Sequence, residues 1–400
     1  AAQGSTIPGV TVTTETFPVW ERAVESELLQ VEIGGQWYTF ASSLFGAAPS
    51  TGGAVVEAPL VFFDSATGYQ QSDLSFMKGA AVVHLGCHIE SAEQYQRLIE
   101  AEPAFLLFVD IRFPGDGALA DGLFPAYVHA YGARTTVNVA YHDVWRWRRE
   151  GATRARLCVK GERRRSESQN VVLEIAGSDP AAGVIYLGAH HDTQAGTVGA
   201  DDNAIGCASL LELARLLAES GLRHTVRLVS FGAEEQLSLG SAAYVRRHRA
   251  EVAANGRFMY NIDGSASALG WLVFTMNSSA AQESLLREVF TKHGFTYELT
   301  NEPCPYTDQF PFAAAGVPGL WVYRKNCVTG VYYHHRYDDI IANLDLKMAA
   351  RQLDAAVEFL TRMSGDDAVS AQVAFSESEQ RVIDTLWETI CGGWGGFTMK

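Results

Sequence analysis

Nowhere in these 400 residues does an apolar run approach the ~18 residues that a membrane-spanning helix requires, so the chain reads as soluble. Two catalytic signatures are missing as well. There is no G-x-S-x-G, which removes serine hydrolases of the nucleophile-elbow type, and no H-E-x-x-H, which removes metallopeptidases that carry one zinc on a helix. The six cysteines, at 87, 158, 207, 304, 327 and 391, contain no C-x-x-C, and this excludes a Cys-rich zinc module and a thioredoxin-type pair. Buried free thiols are their default reading, with Cys304 and Cys327 the one pair that a disulfide would suit. Positive charge is also scarce. With 31 Lys and Arg against 46 Asp and Glu, the net charge is -15, and neither nucleic acid nor an anionic membrane is expected as a partner. The single basic run, VKGERRR at 159–165, carries its own Glu and reads as a solvated loop. The chain begins at Ala1 without a Met or a signal-peptide pattern, from which a processed or trimmed N-terminus is expected. A secreted or periplasmic address is favoured over a cytoplasmic one, and the oligomeric state is not legible.

What is present is an ordinary globular composition, 47% hydrophobic and 19% charged, long enough for one large unit and one smaller one. From about Gly34 to Glu162 short β-type runs dominate (QWYTF, VVEAPLVFF, GAAVVHLG, AFLLFVDI, TTVNVAYHDV), with one helical stretch, SAEQYQRLIEAE. His84, His88, His129 and His142 lie here without metal-ligand spacing and read as structural or surface histidines. After RRRSESQN the rhythm becomes strand, loop, long helix, strand: NVVLEIAG, GVIYLGAHHD, NAIGCASLLELARLLAES, TVRLVSFGAEE. Strands alternating with long helices imply an α/β fold, a mostly parallel mixed sheet sandwiched by helices, with a smaller strand-rich unit attached. Leu210, Leu213 and Leu217 give the first helix one apolar face, and further helices are expected at 281–293, 345–363 and 377–391. The tail CGGWGGFTMK reads as flexible.

In such a sheet, ligands gather outside the carboxyl ends of the strands. VIYLGA ends in His190, His191 and Asp192, VRLVSFGA in Glu234 and Glu235, FMYNI in Asp263, and GLWVYR leads to YYHHRYDD. One such pair alone reads as an accident of polar loops, but four at four strand ends do not. Crowded carboxylates repel one another and are driven toward protonation unless a cation offsets them. His with carboxylate and no thiolate suits zinc, and this many acidic groups suits two ions sharing a bridging carboxylate.

The motifs GAHHDT, GADDNAIG, FGAEEQLSLGS, NIDG, YTDQFPFAAAGVPG and HHRYDD, in this order over roughly residues 170–350, resemble those of the co-catalytic dizinc exopeptidases. That family includes secreted bacterial leucyl aminopeptidases and glutamate carboxypeptidase II. The resemblance implies a two-Zn2+ hydrolase of peptides. Within His-x-Asp it selects His190 as ligand and Asp192 as the carboxylate that orients it, leaving His191 unconstrained. It selects Asp202 as the bridge, His190 with Asp263 for one zinc, and Glu235 with His335 for the other. Glu234 is left as general base and Tyr306 as a donor to the developing oxyanion. The peptide after Asp202 is expected to be cis. Where many relatives have Ser-Asp-His, this chain has Thr307-Asp308-Gln309; Asp308 and Gln309 are expected near substrate, and Arg324 is a candidate for holding a substrate carboxylate. Residues 34–162 resemble an inserted protease-associated domain that flanks the cleft, with 1–33 and 163–400 as the catalytic domain. The family places a helix or two before GVTVTTETF, absent here, so part of the catalytic domain is expected to be missing or relocated. The acidic balance favours an aminopeptidase. The alternatives are a carboxypeptidase or dipeptidase on the same site, a one-zinc glutaminyl-cyclase-like transferase, and a non-catalytic binding protein. The last two are disfavoured because all five ligands and the base are present.

Overall fold

The computed structural model describes residues 1–71, 73–86, 91–119, 121–328 and 330–397. Its strands are β1 (Val10–Ile33), β2 (Gln36–Phe40), β3 (Ser42–Leu44), β4 (Val56–Asp64), β5 (Ala81–Leu85), β6 (Phe105–Val109), β7 (Thr136–Val139), β8 (Arg154–Ile175), β9 (Val184–His190), β10 (Thr225–Phe231), β11 (Gly256–Ile262), β12 (Trp271–Asn277), β13 (Tyr297–Asn301) and β14 (Gly319–Lys325). They line up as β13-β12-β14-β11-β9-β10-β8-β4-β5-β6-β7-β3, with β1 paired to β2 and β8. β9 lies parallel to β10 and β11, and β11 parallel to β14, which makes the centre of the sheet parallel. β8 and β12 join antiparallel. The carboxyl ends of β9, β10, β11 and β14 therefore open on one side, where the site lies.

Alternation along β9 shows why both faces are covered. Ile185, Leu187 and Ala189 pack with Leu210, Leu213 and Leu217 of the helix Ile205–Ser220 and with the helices Ala280–Lys292 and Leu346–Gly365. Val184 and Tyr186 point the other way, toward Tyr244, Val245 and Phe312. Side chains on a strand alternate between faces, so a strand apolar at every position demands a helix layer on each side. The leucine face read from the sequence is the one buried.

A separate core sits around Val82, Leu106, Val137 and Trp147. The antiparallel ribbon of β1 and β8 ties the two cores together, pairing from Val10 with Ile175 to Glu32 with Arg154. Its far ends, Leu29, Val31 and Leu157, belong to this second core, while Leu173 and Ile175 belong to the first.

Four expectations change. VKGERRR is not a loop but the exposed middle of β8, which is paired to β1 across its whole length, so strand pairing fixes what charge alone made look irregular. The region before Glu162 holds several helices: Ala92–Glu100 as read, and also Pro125–Tyr131 and Tyr141–Glu150. YHDV closes the strand-type run TTVNVAYHDV by composition, but it opens the helix YHDVWRWRRE, in which Val144 and Trp147, three residues apart, bury one face and Gly151 closes the helix in a left-handed conformation. The tail is anchored as far as residue 397: Trp394 packs 5.2 Å from Trp387 and under the guanidinium of Arg249 at 3.8 Å; residues 398–400 lie outside the described residues. Cys304 and Cys327 form no disulfide with each other, and of Cys158, Cys207, Cys304, Cys327 and Cys391 only Cys391 is buried. His84 is buried against the Tyr69 hydroxyl at 3.1 Å, and His142 meets Asp116 at the surface. Cys87 and His88 lie outside the described residues. Among the described residues no helix is long and apolar enough to cross a membrane.

Candidate metal centre

His190 ends β9 and is fully buried. Its Nδ1 lies 3.0 Å from the backbone carbonyl of Asp192 and 3.7 Å from that residue's carboxylate. Its Nε2 is thereby turned inward, 3.1 Å from Asp202 Oδ1 and 3.2 Å from Asp263 Oδ1. The other Asp202 oxygen, Oδ2, lies 3.5 Å from His335 Nε2, which is itself 2.9 Å from Glu235 Oε2. Asp202 thus sits between two imidazoles, each with a further carboxylate at its side. The peptide Asp202–Asn203 is cis.

Each loop has a local reason for its path. After β10, Ala233, Leu237 and Ser238 all have positive φ. Non-glycine residues hold such angles only where the surroundings dictate them. What dictates them here is a crossed pair of contacts. The amides of Glu234 and Glu235 donate to the two carboxylate oxygens of Asp192, at 3.0 and 3.2 Å, and Ser238 Oγ donates to Glu234 Oε1 at 3.0 Å. Asp192 therefore positions the Glu234–Glu235 turn as much as it positions His190. His335 also has positive φ, 57°, on the loop that follows β14.

Sequence reasoning gave no role to Asp201, Tyr333 or Asp339. Asp339 accepts the amides of Asp201 and Asp202, at 2.8 and 3.1 Å. Asp201 accepts the amide of Ala266 at 2.8 Å and the Tyr333 hydroxyl at 3.0 Å. This buried knot ties the loops carrying Asp202, Asp263 and His335 together. Its members are separated by up to 138 residues, so no local pattern could have announced them.

Burial opposes charge on His190, but the Asp263, Asp192 and Asp202 carboxylates outweigh it and hold its pKa well above the ordinary value. Burial likewise works against His335, yet Glu235 and Asp202 push it up to about 9. Among the carboxylates, burial and then Asp202 raise Glu235 to about 7. Glu234 is pushed well up, by burial first and then by Asp308, Asp263 and Glu235. Asp202 goes the other way, held low against its burial by His190 and His335. These are the shifts of an acidic cluster that takes up positive charge, as protons or as cations. Two sets of side chains bring their donor atoms within 4.8 Å of one another: His190, Asp202 and Asp263, and Asp202, His334 and His335. Glu235 Oε1 is buried without a hydrogen-bond partner beside them. Nitrogen and carboxylate donors without a thiolate fit zinc.

The cluster opens into a cavity of about 440 Å³. Phe113, Leu123 and Phe124 come to its wall from one unit, and Tyr306, Trp321 and Tyr323 from the other. Tyr306 is 53% exposed there rather than packed in a core. Three residues expected at substrate are not on the wall. Asp308 and Gln309 turn inward from the Tyr306–Thr307 segment and are buried, Gln309 accepting from Thr307 Oγ1. Arg324 spends its guanidinium on the carbonyls of Ser267 and Gly270, each at 2.7 Å.

Residues 170–360 match peptidase family M28. Among curated proteins, the chain is 29% identical over 185 residues to Aminopeptidase YwaD of Bacillus subtilis, covering 44% of this chain and 40% of that protein. It is 29% identical over 185 residues to Carboxypeptidase Q of Rattus norvegicus, covering 46% and 38%. It is 29% identical over 153 residues to Leupeptin-inactivating enzyme 1 of Streptomyces exfoliatus, covering 37% and 34%. The aligned part is thus well under half the length of these relatives. Among solved structures, a Peptidase M28 precursor from Shewanella amazonensis superposes with a TM-score of 0.77 at 18% identity, covering 94% of this chain and 88% of that one. A zinc aminopeptidase from Bacillus subtilis gives 0.73 at 18% identity, covering 94% and 91%. At that identity the likeness is one of fold, a mixed α/β sheet flanked by helices. Over residues 170–360, just under half of its length, the chain is therefore similar to peptidase family M28.

Proposed function

We propose that this protein is a two-zinc exopeptidase that removes the N-terminal residue of peptides. The observation that carries the reading is Asp202, whose two carboxylate oxygens face His190 and His335 on opposite sides. In this reading His190 and Asp263 hold one ion, Glu235 and His335 the other, and Asp202 both. When bound, such a pair supplies Lewis acidity to the scissile carbonyl and acidifies water. The remaining work falls to the chain. Glu234, at the cavity wall and outside the ligand set, takes a proton from the attacking water and returns it to the leaving amine. The Tyr306 hydroxyl, exposed on the same wall, donates to the developing oxyanion. Asp192 and Ser238 hold the base in place.

Specificity for the amino end is supported by Asp121, a carboxylate on the wall outside the ligand set, which favours a free ammonium. The carboxypeptidase alternative loses its cation, since Arg324 lies off the wall. Arg112, which is on the wall, is engaged by the Asp110 carboxylate. We also propose that residues 34–162 form an inserted, protease-associated-like unit, whose Phe113, Leu123 and Phe124 narrow the cleft around the peptide. The test compares an aminoacyl anilide with its N-acetylated twin. Acetylation should abolish cleavage, whereas equal cleavage of the blocked substrate would overturn the amino-end reading.

A further inference from the structure

The geometry points to His334 as an additional imidazole ligand of the ion between Asp202, Glu235 and His335, an inference that rests on the two-metal reading above. That reading gives each ion three side chains. His334 breaks the symmetry. Its Nε2 lies 3.8 Å from Asp202 Oδ2, the same oxygen that faces His335 at 3.5 Å. The two rings stack at 3.6 Å and 25°. Because His335 turns through a left-handed conformation, two successive side chains that would ordinarily diverge are brought side by side.

Zinc bonds of about 2.0–2.1 Å at a tetrahedral centre place neighbouring donors roughly 3.3 Å apart. The separations of 3.5 Å from His335 to Asp202 and 3.8 Å from His334 to Asp202 lie near that value, and the donor atoms of these three side chains all fall within 4.8 Å of one another. Glu235, 2.9 Å from His335, would be the fourth donor once the His334 ring turns out of its stack toward the ion. The ring is held on both sides, by His335 and by Phe113, whose centroid lies 5.7 Å away. It is also still open enough, at 37% side-chain exposure, for an ion to reach it. Phe113 comes from the unit around residues 34–162, which therefore takes part in placing a ligand.

The consequence is a division of labour. Four protein donors close a zinc site in the manner of structural ions, whereas three leave a position open for substrate. The ion near His334 would be the firmly held one, and the ion near His190 and Asp263 the exchangeable one.

The experiment titrates zinc and cobalt(II) into chelator-stripped wild-type, His334→Ala and His335→Ala proteins, reading each dissociation constant by chelator competition and the visible spectrum of bound cobalt. Removing even a supporting partner of a metal ligand costs about 10- to 100-fold in affinity, so His334→Ala should weaken one ion by at least 10-fold, change the cobalt spectrum of that ion, and leave the other ion alone. Both affinities and the spectrum within twofold of wild type would overturn the assignment. Wild type binding fewer than two ions would instead overturn the two-metal reading beneath it. A measurement on unmutated protein guards against misfolding of the variant. With 15N-histidine labelling and cadmium-113, three imidazoles should show nitrogen–cadmium coupling; coupling confined to His190 and His335 would overturn the proposal.

Discussion

Exchanging Glu234 for Gln removes the group assigned to proton transfer and little else. Glutamine has nearly the same volume, its carbonyl oxygen can accept from Ser238 Oγ as Glu234 Oε1 does at 3.0 Å, and the backbone amide that binds Asp192 is untouched. No donor in the His190, Asp202, Asp263, Glu235 and His335 set changes, so the metal content should stay at the wild-type value. General-base catalysis is worth about 10²- to 10⁴-fold, or about 2.7–5.4 kcal/mol at 1.36 kcal/mol per decade. Because Glu234 is assigned both proton transfers, the loss belongs at the upper end. It should appear in kcat, since the substrate is bound by the ions and the wall, which the substitution spares. The assay is turnover of an aminoacyl anilide, with zinc content measured on the same samples. Turnover within tenfold of wild type at full metal content would refute the assignment of Glu234 as base. In the companion variant, Glu235→Gln, loss of zinc is expected as well as loss of activity, because Glu235 Oε2 lies 2.9 Å from His335 Nε2.

Two further outcomes follow from the same geometry. In chelator-treated protein, Glu235 and Asp201 titrate at about 7 and His335 at about 9, each above the unfolded values of about 4.3, 3.9 and 6.5. The folded state therefore binds more protons than the unfolded one between pH ~4 and ~9, and loses stability as the pH rises through that window. Asp202, held low, acts oppositely only where it protonates, below pH ~4. Thermal unfolding of the stripped protein should have a higher midpoint at pH 5.5 than at pH 8.5, with saturating zinc reducing or reversing the difference; a stripped protein more stable at pH 8.5 would contradict these shifts. Separately, Gly240 packs so closely on the turn after β10 that an added Cβ would lie 2.1 Å from the Gly232 carbonyl oxygen and 2.7 Å from Asn170 Oδ1. Gly240→Ala should cost about 1–3 kcal/mol in denaturant unfolding and lower turnover by shifting Glu234 and Glu235; wild-type stability would show that the turn yields freely.

The part of the chain that carries the candidate metal centre was legible because its two signals are local. Alternation and helical spacing read the βαβ units directly; His190, Glu235 and Asp263 stand at or just beyond strand ends, and Asp202 and His335 lie in the segments that follow β9 and β14, where the motifs could be matched one by one. What escaped was decided by contacts across long sequence separations. The Asp201–Asp339 knot and the Tyr333 hydroxyl join residues that share no element. Strand pairing with β1, over 100 residues away, makes VKGERRR extended. The resemblance points to Asp308 and Gln309 as substrate contacts, and the position after the strand VPGLWVY points to Arg324, but the first two are buried and the Ser267 and Gly270 carbonyls engage the third. Between residues 34 and 162, short amphipathic helices such as Tyr141–Glu150 are masked by their aromatic and β-branched residues, which favour strands by composition.

The account stands most directly on the pair of ions bridged by Asp202. A crystal grown with zinc and measured at the zinc absorption edge would give it a decisive reading. Two anomalous peaks roughly 3.5–4 Å apart are expected, with one oxygen of Asp202 on each. A single peak, or two with the Asp202 carboxylate turned away from both, would contradict it.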